Sequence, residues 1–247
     1  MKNSAISQYL PHYIENFKIF SQWKKHESKH YVFFYLPESL AEKEITEIVK
    51  TQEAGFKRIL DFLKVKAPKQ KIKYYLYPNR KIKKELMGDD WYAQAIYHNF
   101  TVHLLYTKKI KPLEAHEDTH LFSLPWGLAI GFFQEGLAEY LTGHNWHGQP
   151  HEILVKKSLK KNILPDFKIM FSHKNWADLD DKNVLAYYCY AGSMVKFMLE
   201  KFGRNKFKKF YQNLNREYSQ IKNIRIFKDV YKMTPVEMQR RWMSQIN

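Results

Sequence analysis

Strand-forming and helix-forming patterns are separated along this chain of 247 residues, and this separation limits its fold more than any other feature. Runs rich in β-branched and aromatic residues lie only in the first half, where they predict β-strands. Apolar residues at helical spacing between these runs predict helices. The strands are expected at 30–36, 71–77 and 93–106, the last range holding one or two strands, and the helices at 40–63 and 81–87.

The second half has helical periodicity throughout, with glycine and proline at the expected helix ends. Residues 144–183 are expected to be irregular apart from one basic helix. A Thr-Pro-Val-Glu sequence at 234–237 is a capping box with proline at the first helical position, and it predicts the start of the last helix. The helices are expected at 113–122, 130–141, 151–161, Val184–Phe202, 206–218 and 234–242.

Strands followed by helices indicate an α+β fold. We expect a lead-in over 1–29, a sheet lobe over 30–111 and a helical lobe over 112–247, packed as one compact catalytic domain. No internal repeat and no low-complexity linker interrupts this arrangement.

The sequence His-Glu-Asp-Thr-His at 116–120 is the strongest chemical motif. On a helix, residues four apart lie on one face, so His116 and His120 could share one metal ion. Zinc accepts two such imidazole nitrogens. Glu117 lies one step further round the helix and could reach a water near the ion. This is the HExxH arrangement.

A second pair of residues, in the sequence Gln-Glu-Gly-Leu-Ala-Glu-Tyr-Leu, supports the metal prediction. A zinc site of this kind needs a third protein ligand, and Glu135 lies on the next predicted helix, with fourteen residues between it and His120. Glu139 is one turn later on the same face. Its carboxylate could accept a hydrogen bond from the outer nitrogen of a ligand histidine and fix its tautomer.

These motifs resemble those of the gluzincin zinc metallopeptidases, most closely the small bacterial peptidase MA-like group. The resemblance extends over about residues 30–245 and includes 188–193 and the last helix. It implies a thermolysin-like core with an N-terminal mixed β-sheet lobe, a C-terminal helical lobe and the active-site helix between them. The connection from His120 to Glu135 is shorter here than in thermolysin.

The resemblance further implies a role for each matching residue. His116, His120 and Glu135 are the expected ligands of one Zn²⁺ per chain, Glu117 is the expected general base, and Glu139 is expected to contact His116. The implied reaction is hydrolysis of a peptide bond in a peptide or protein substrate. The alternative is a non-catalytic zinc-binding or protein-binding module on the same fold, suggested by the short connection and the basic surface.

Two further roles are expected from residues outside the motifs. An oxyanion would need a hydrogen-bond donor, for which Tyr188 is the first candidate, ahead of Tyr190 and Tyr187. A substrate peptide could pair with an exposed strand edge. We expect that edge at 100–106, with these substrate-binding residues: Val102, His103, Leu104 and Leu105.

Other histidines and the single cysteine are weaker candidates. His144, His147 and His151 are expected in exposed loops, although they could supply an alternative third ligand or line the substrate cleft. Cys189 lies among apolar residues and is expected to be a small buried side chain, because no cysteine–histidine pattern marks it as a nucleophile.

The formal net charge is +16, and it is interpreted as a lysine-rich solvated surface. No nucleic-acid-binding motif accompanies it, so no nucleic acid partner is expected. The first twenty residues contain no apolar signal core, and no stretch is long and apolar enough to span a membrane. One cysteine allows no internal disulfide. These features predict a cytoplasmic protein, and oligomeric state is left open.

Overall fold

A computed structural model describes residues 17–20 and 22–246 of the chain. The chain divides into two compact units, one ending at Phe122 and the other beginning at Ser123. The fold is α+β, as expected from the sequence, with the sheet in the first unit and helices throughout the second. Most of the expected helical lead-in, residues 1–16, lies outside the described residues.

The sheet of the first unit has five strands in the order β1-β2-β3-β5-β4. The three central strands, β2, β3 and β5, are parallel, and the outer two, β1 and β4, are antiparallel to their neighbours. The sheet is therefore mixed, as predicted. The strands are β1 (Lys24–Glu27), β2 (Tyr31–Tyr35), β3 (Ile72–Tyr77), β4 (Ala93–Ile96) and β5 (Thr101–Leu105).

Five helices accompany the sheet in the described part of the first unit. The sequence predicts one helix over 40–63, but the structure breaks it at Glu44, whose backbone (φ −109°, ψ 12°) ends one helix and precedes the next. The Glu44 carboxylate accepts hydrogen bonds from Tyr106 at 2.5 Å and Lys111 at 2.6 Å, which hold the break in place. The helices are α1 (Phe17–Phe20), α2 (Leu40–Lys43), α3 (Ile45–Leu63), α4 (Arg80–Met87) and α5 (His116–Phe122).

The prediction that β5 offers a free edge is wrong. Its backbone pairs with β3 on one side and with β4 on the other, so no edge is left for a substrate. All five of its side chains are buried, including the predicted contacts Val102, His103, Leu104 and Leu105. Among the described strands, β1 and β4 form the two edges of the sheet.

His103 of β5 belongs to the core of the first unit. Its ring stacks on Tyr75 at 4.6 Å between centroids, and its Nδ1 lies 2.8 Å from the hydroxyl of Tyr77. Burial lowers the pKa of His103 well below its ordinary value, and the positive charge of Lys83 lowers it further. The imidazole is therefore neutral in the folded protein at neutral pH.

The second unit is built of helices joined by short turns. Three of these turns are single 3₁₀ turns, at Leu124–Trp126, Phe167–Phe171 and Asp181–Asn183. Aromatic rings fill its interior, as expected from the composition. The helices are α6 (Gly131–Thr142), α7 (His151–Lys160), α8 (His173–Ala177), α9 (Val184–Phe202), α10 (Arg204–Asn213), α11 (Gln220–Tyr231) and α12 (Pro235–Ile246).

Helix α11 was not predicted, and α10 ends five residues before the predicted end of its helix. Only Asn223, Phe227 and Tyr231 of α11 are buried, at a spacing of four residues. The three isoleucines of α11 obscure this pattern, since Ile221 is 75% exposed and Ile224 and Ile226 are only half-buried. The Ser219 hydroxyl caps the helix by accepting a hydrogen bond from the backbone N–H of Lys222.

Two glycines let α6 lie close against α9. A Cβ on Gly136 would lie 2.6 Å from the backbone oxygen of Ala191, and a Cβ on Gly192 would lie 2.7 Å from the Cβ of Glu139. Neither contact is sterically allowed, so both positions need the absence of a side chain. The Gly in the Glu-Gly-Leu-Ala-Glu sequence is therefore a packing requirement of the helix that carries Glu135.

The capping box of α12 is confirmed. The backbone N–H and the hydroxyl of Thr234 both donate to the Glu237 carboxylate, at 2.6 and 2.8 Å, and the Glu237 N–H donates back at 3.2 Å. A search of the described helices for one long and apolar enough to cross a membrane finds none.

We predict that His103→Gln reduces the dependence of stability on pH. In the wild type, the unfolded chain takes up a proton at His103 below about pH 6.5, whereas the folded chain does not. The free energy of unfolding therefore falls as pH drops below that value, by at most about 1.4 kcal/mol per pH unit from this residue. Urea unfolding at pH 7 and pH 5 measures the difference. His26→Gln, at an exposed position on β1, is the control, and an equal slope in wild type and His103→Gln would contradict the prediction.

Candidate metal centre

Helix α5 carries the His-Glu-Asp-Thr-His motif, but it begins at His116 rather than at the predicted residue 113. The Ala115 carbonyl accepts the Thr119 N–H at 2.8 Å and the Thr119 hydroxyl at 2.6 Å, which secures the first turn. The rings of His116 and His120 lie 5.0 Å apart between centroids. The helical spacing thus places both imidazoles together, as the sequence predicts.

Asp118, in the middle of the motif, has a fully buried carboxylate. It accepts hydrogen bonds from the hydroxyl of Tyr31, from the hydroxyl of Tyr74 at 2.7 Å and from the side-chain amide of Gln52 at 3.3 Å. These donors come from β2, β3 and α3. Burial raises the pKa of Asp118 to about 7, and the two tyrosine hydrogen bonds oppose this rise.

Gln52 also fixes the chain just before the helix. Its side-chain oxygen accepts the backbone N–H of Glu114 at 2.5 Å, at a residue whose φ of 76° lies in the left-handed region. Its side-chain nitrogen donates to Tyr74 at 2.7 Å as well. One buried amide therefore connects the turn before α5 to the tyrosine that holds Asp118.

Glu117 is 7% exposed, and its Oε2 makes no hydrogen bond with any residue that the structure describes. A buried carboxylate oxygen without a partner is costly, and it is a common feature of functional sites. The unsatisfied oxygen fits the predicted role of Glu117, which requires a carboxylate that can take up a proton.

Glu135, on α6, joins the two histidines. One potential ligand atom from each of His116, His120 and Glu135 lies within 4.8 Å of the other two. Two imidazoles and one carboxylate are a donor set that zinc accepts, and tetrahedral ligands at zinc lie about 3.4 Å apart. The donor set therefore fits zinc in its chemistry.

Glu139 lies one turn after Glu135, and its side chain is 3% exposed. Its Oε2 lies 2.6 Å from Nε2 of His151, which is buried at the first position of α7. The expectation that His151 lies in an exposed loop is therefore wrong. The expected contact of Glu139 with His116 stays a prediction.

The other loop histidines are not part of the cluster. Within the described chain, the one group of three potential ligands within 4.8 Å contains neither His144 nor His147 nor His151. The loop around them is organised by Asn145, which is buried and accepts the backbone N–H groups of His147 at 2.9 Å and Gln149 at 3.1 Å. The structure thus favours Glu135 over these histidines as the third ligand.

The three candidate tyrosines have different surroundings on α9. Tyr187 donates its hydroxyl to Asp180 at 2.5 Å, and Tyr190 is fully buried against Phe132 and Trp242. Tyr188 is half-buried. It packs between two tryptophans, with ring centroids 5.5 Å from Trp146 and 5.6 Å from Trp176. Of the three residues, Tyr188 is the least buried.

His173 was not identified from the sequence. It begins α8, and its Nδ1 accepts the backbone N–H of Gly131, the first residue of α6, at 3.1 Å. In a neutral imidazole this leaves the proton on Nε2. Burial, followed by the charge of Arg216, lowers the pKa of His173 to about 4, while the charge of Glu135 opposes the shift. No spacing pattern marks this residue, since it is forty-two positions from its partner.

Cys189 is fully buried, as expected, and burial raises the pKa of its thiol to about 12. A thiol with such a pKa is protonated at neutral pH, so Cys189 is not a nucleophile.

Comparison of the chain with protein-family models gives no match, and comparison with curated proteins gives no significant similarity.

We predict that Tyr31→Phe and Tyr74→Phe each lower the free energy of unfolding by about 1–3 kcal/mol, because each removes a donor from the buried Asp118 carboxylate. Tyr35→Phe is the matched control. Tyr35 lies on the same strand as Tyr31, is also buried, and shows no hydroxyl hydrogen bond within the described chain. We expect a change within about 0.5 kcal/mol for the control. Equal losses in all three variants, measured by urea unfolding at pH 7.5, would contradict the predicted role of Asp118.

Proposed function

We propose that this protein is a zinc-dependent peptidase of the gluzincin type. The observation that carries the proposal is the group formed by His116, His120 and Glu135, whose potential ligand atoms lie within 4.8 Å of one another. The buried Glu117 carboxylate lies in the same motif and has an unsatisfied oxygen. A thermolysin-like core is part of the same proposal, and the α+β fold with its mixed sheet is compatible with it.

The two imidazoles and the Glu135 carboxylate would hold the ion. When bound, zinc would supply Lewis acidity and lower the pKa of water. Glu117 is not needed as a ligand, which leaves its Oε2 able to take the proton of the attacking water and deliver it to the nitrogen of the leaving amine. Glu139, fixed by His151, would orient a ligand histidine through its other oxygen.

The substrate would add to the sheet at β4 rather than at β5. Helix α5 packs against β4, so this edge strand lies next to the histidine motif. The side chain of Gln94 points inward and accepts a hydrogen bond from the buried Lys83 ammonium at 2.7 Å, which ties β4 to α4. Ala93 and Ala95 are half-buried and small. An extended peptide could therefore pair with the outer edge of β4 by strand addition.

Two residues are candidates for the donor to the oxyanion. Tyr188 is the least buried of the three tyrosines on α9, and His173 presents an Nε2–H on a neutral ring whose position is fixed by Gly131. His173 lies close enough to Glu135 for their charges to interact, and its helix α8 packs against α6. A donor at this place would stabilise negative charge that develops on the carbonyl oxygen.

We predict that the purified protein contains about one zinc per chain and hydrolyses peptides, and that Glu117→Gln lowers kcat by about 10²–10⁴-fold while zinc content stays unchanged. His120→Ala should lose the zinc itself. Metal content is measured by atomic emission after purification without chelators, and turnover by mass spectrometry on a mixed peptide library.

Glu85→Gln, which changes an exposed carboxylate on α4, is the control and should behave as wild type. Turnover that survives in Glu117→Gln would contradict the proposed mechanism, and absence of tightly bound metal in the wild type would contradict the metal centre. Zinc at full occupancy without hydrolysis of any library peptide would favour the non-catalytic binding module.

We predict that one of Tyr188→Phe and His173→Asn lowers kcat by about 10²–10³-fold with little change in KM, because a donor to the oxyanion acts in the transition state. Tyr187→Phe is the matched control on the same helix, since its hydroxyl donates to Asp180. Steady-state kinetics with one library substrate decides between the two. If neither variant changes kcat, the donor lies elsewhere.

A further inference from the structure

The positive charge of this protein is concentrated near its C-terminus. Residues 204–247 contain eleven lysines and arginines against three acidic residues, a net charge of +8 out of the total of +16. Helices α10, α11 and α12 occupy this segment. Less than a fifth of the chain thus carries half of its net charge. If the charge were spread evenly along the chain, this segment would carry less than a fifth of it.

The solvent-facing side of α11 is a continuous basic stripe. Ile221, Arg225 and Lys228 follow one another at intervals of four and three residues, Lys232 comes directly after the helix, and all four are exposed. Residues at these intervals lie on one face of a helix, opposite the buried face. Asp229 is the one carboxylate on this helix, and it lies at the flank of the stripe.

Helix α12 repeats the arrangement. Val236 is exposed at its second position and Arg240 follows four residues later on the same face. Ile221 and Val236 are 75% and 63% exposed, the two highest values among the large apolar side chains of the described chain. Each exposed aliphatic residue therefore has an arginine one turn further along its helix.

Most cations of this surface form no ion pair within the described chain, and the nearest opposing charge on α12 is Glu237, whose carboxylate interacts electrostatically with Arg240 and Arg241. Of the residues that the structure describes, no carboxylate forms an ion pair with Arg225, Lys228, Lys232 or Arg240. By contrast, many cations of the first unit are paired, such as Lys24 with Glu42, Lys57 with Asp61 and Lys111 with Glu44. A positive field therefore extends from α11 and α12 into solvent.

We propose that the solvent faces of α11 and α12 bind the surface of anionic lipid bilayers, with Ile221 and Val236 entering the headgroup–acyl boundary and the cations contacting lipid phosphates. Exposed aliphatic side chains among cations favour this partner over nucleic acid. Burial in a lipid interface stabilises them, whereas the phosphate backbone of a duplex offers them no apolar contact. The long arms of lysine and arginine reach headgroups while aliphatic residues lie deeper.

Sedimentation of the full-length protein with vesicles tests the proposal. The vesicles are phosphatidylcholine alone or phosphatidylcholine with 30% phosphatidylserine. We expect binding only to the anionic vesicles at 50 mM NaCl and its loss at 500 mM. Arg225→Gln combined with Lys228→Gln should lower the partition coefficient of the protein into anionic vesicles by about 30-fold, because two surface cations are removed. Ile221→Ser combined with Val236→Ser should weaken it by about tenfold.

The matched control is Lys81→Gln combined with Lys84→Gln. These two exposed lysines lie three residues apart on α4, in the first unit, and carry the same charge, and none of the exposed large apolar side chains of the described chain lies on that helix. Circular dichroism establishes that each variant is folded. An equal loss in the control pair, or no binding of the wild type to anionic vesicles, would overturn the proposal.

A parallel titration with duplex DNA separates the two polyanions. If the protein binds DNA but not vesicles, or if Ile221→Ser with Val236→Ser leaves vesicle binding unchanged, the surface is not a lipid-binding one. Glu117→Gln should bind vesicles as wild type does, so this result is independent of the peptidase proposal.

Discussion

The buried carboxylate of Asp118 determines which way the motif helix faces. A carboxylate in this environment must be hydrogen-bonded, and its donors on β2, β3 and α3 hold it on the sheet side of α5. At about 100° per residue, His116 and His120 then lie about 160° and 200° round the helix from Asp118. Both imidazoles therefore face away from the groups that hold Asp118, within about 40° of one another.

The same interaction explains why part of the candidate site could be predicted and part could not. The spacing of His116 and His120 is local, so a helix of any orientation brings the two rings together. Asp118 occupies a position where the motif accepts any residue, and its donor Tyr31 is 87 positions away. Only the pairing of β2 with β3 shows that Tyr31 and Tyr74 reach one carboxylate.

The order of the strands in the sheet could not be predicted for a related reason. The runs at 71–77 and 93–106 predict strands because strand formation can be read from the residues of each run. Their composition does not show which strand lies at the edge of the sheet. β4 lies outside β5 because the chain turns back after Ile96 and pairs antiparallel with it. Polar residues mark this turn. Strand β4 itself is only four residues long, and its side chains alternate only between half-buried and buried. A helix start could be predicted where the capping residues are explicit, as at Thr234. Helix α11 was not predicted, because its three isoleucines do not follow its buried face.

Net charge shows the limit of composition most clearly. A value of +16 describes a solvated surface equally well whether the cations are paired or not. In the first unit, carboxylates beside the lysines cancel much of the field locally, as in the pair of Lys71 with Glu27. On α11 and α12 they do not, and the cations lie beside Ile221 and Val236. Ile221 and Val236 bury little surface at these positions, so they add little to the stability of the helices, and the proposed contact with anionic lipid would bury them together with the cations beside them.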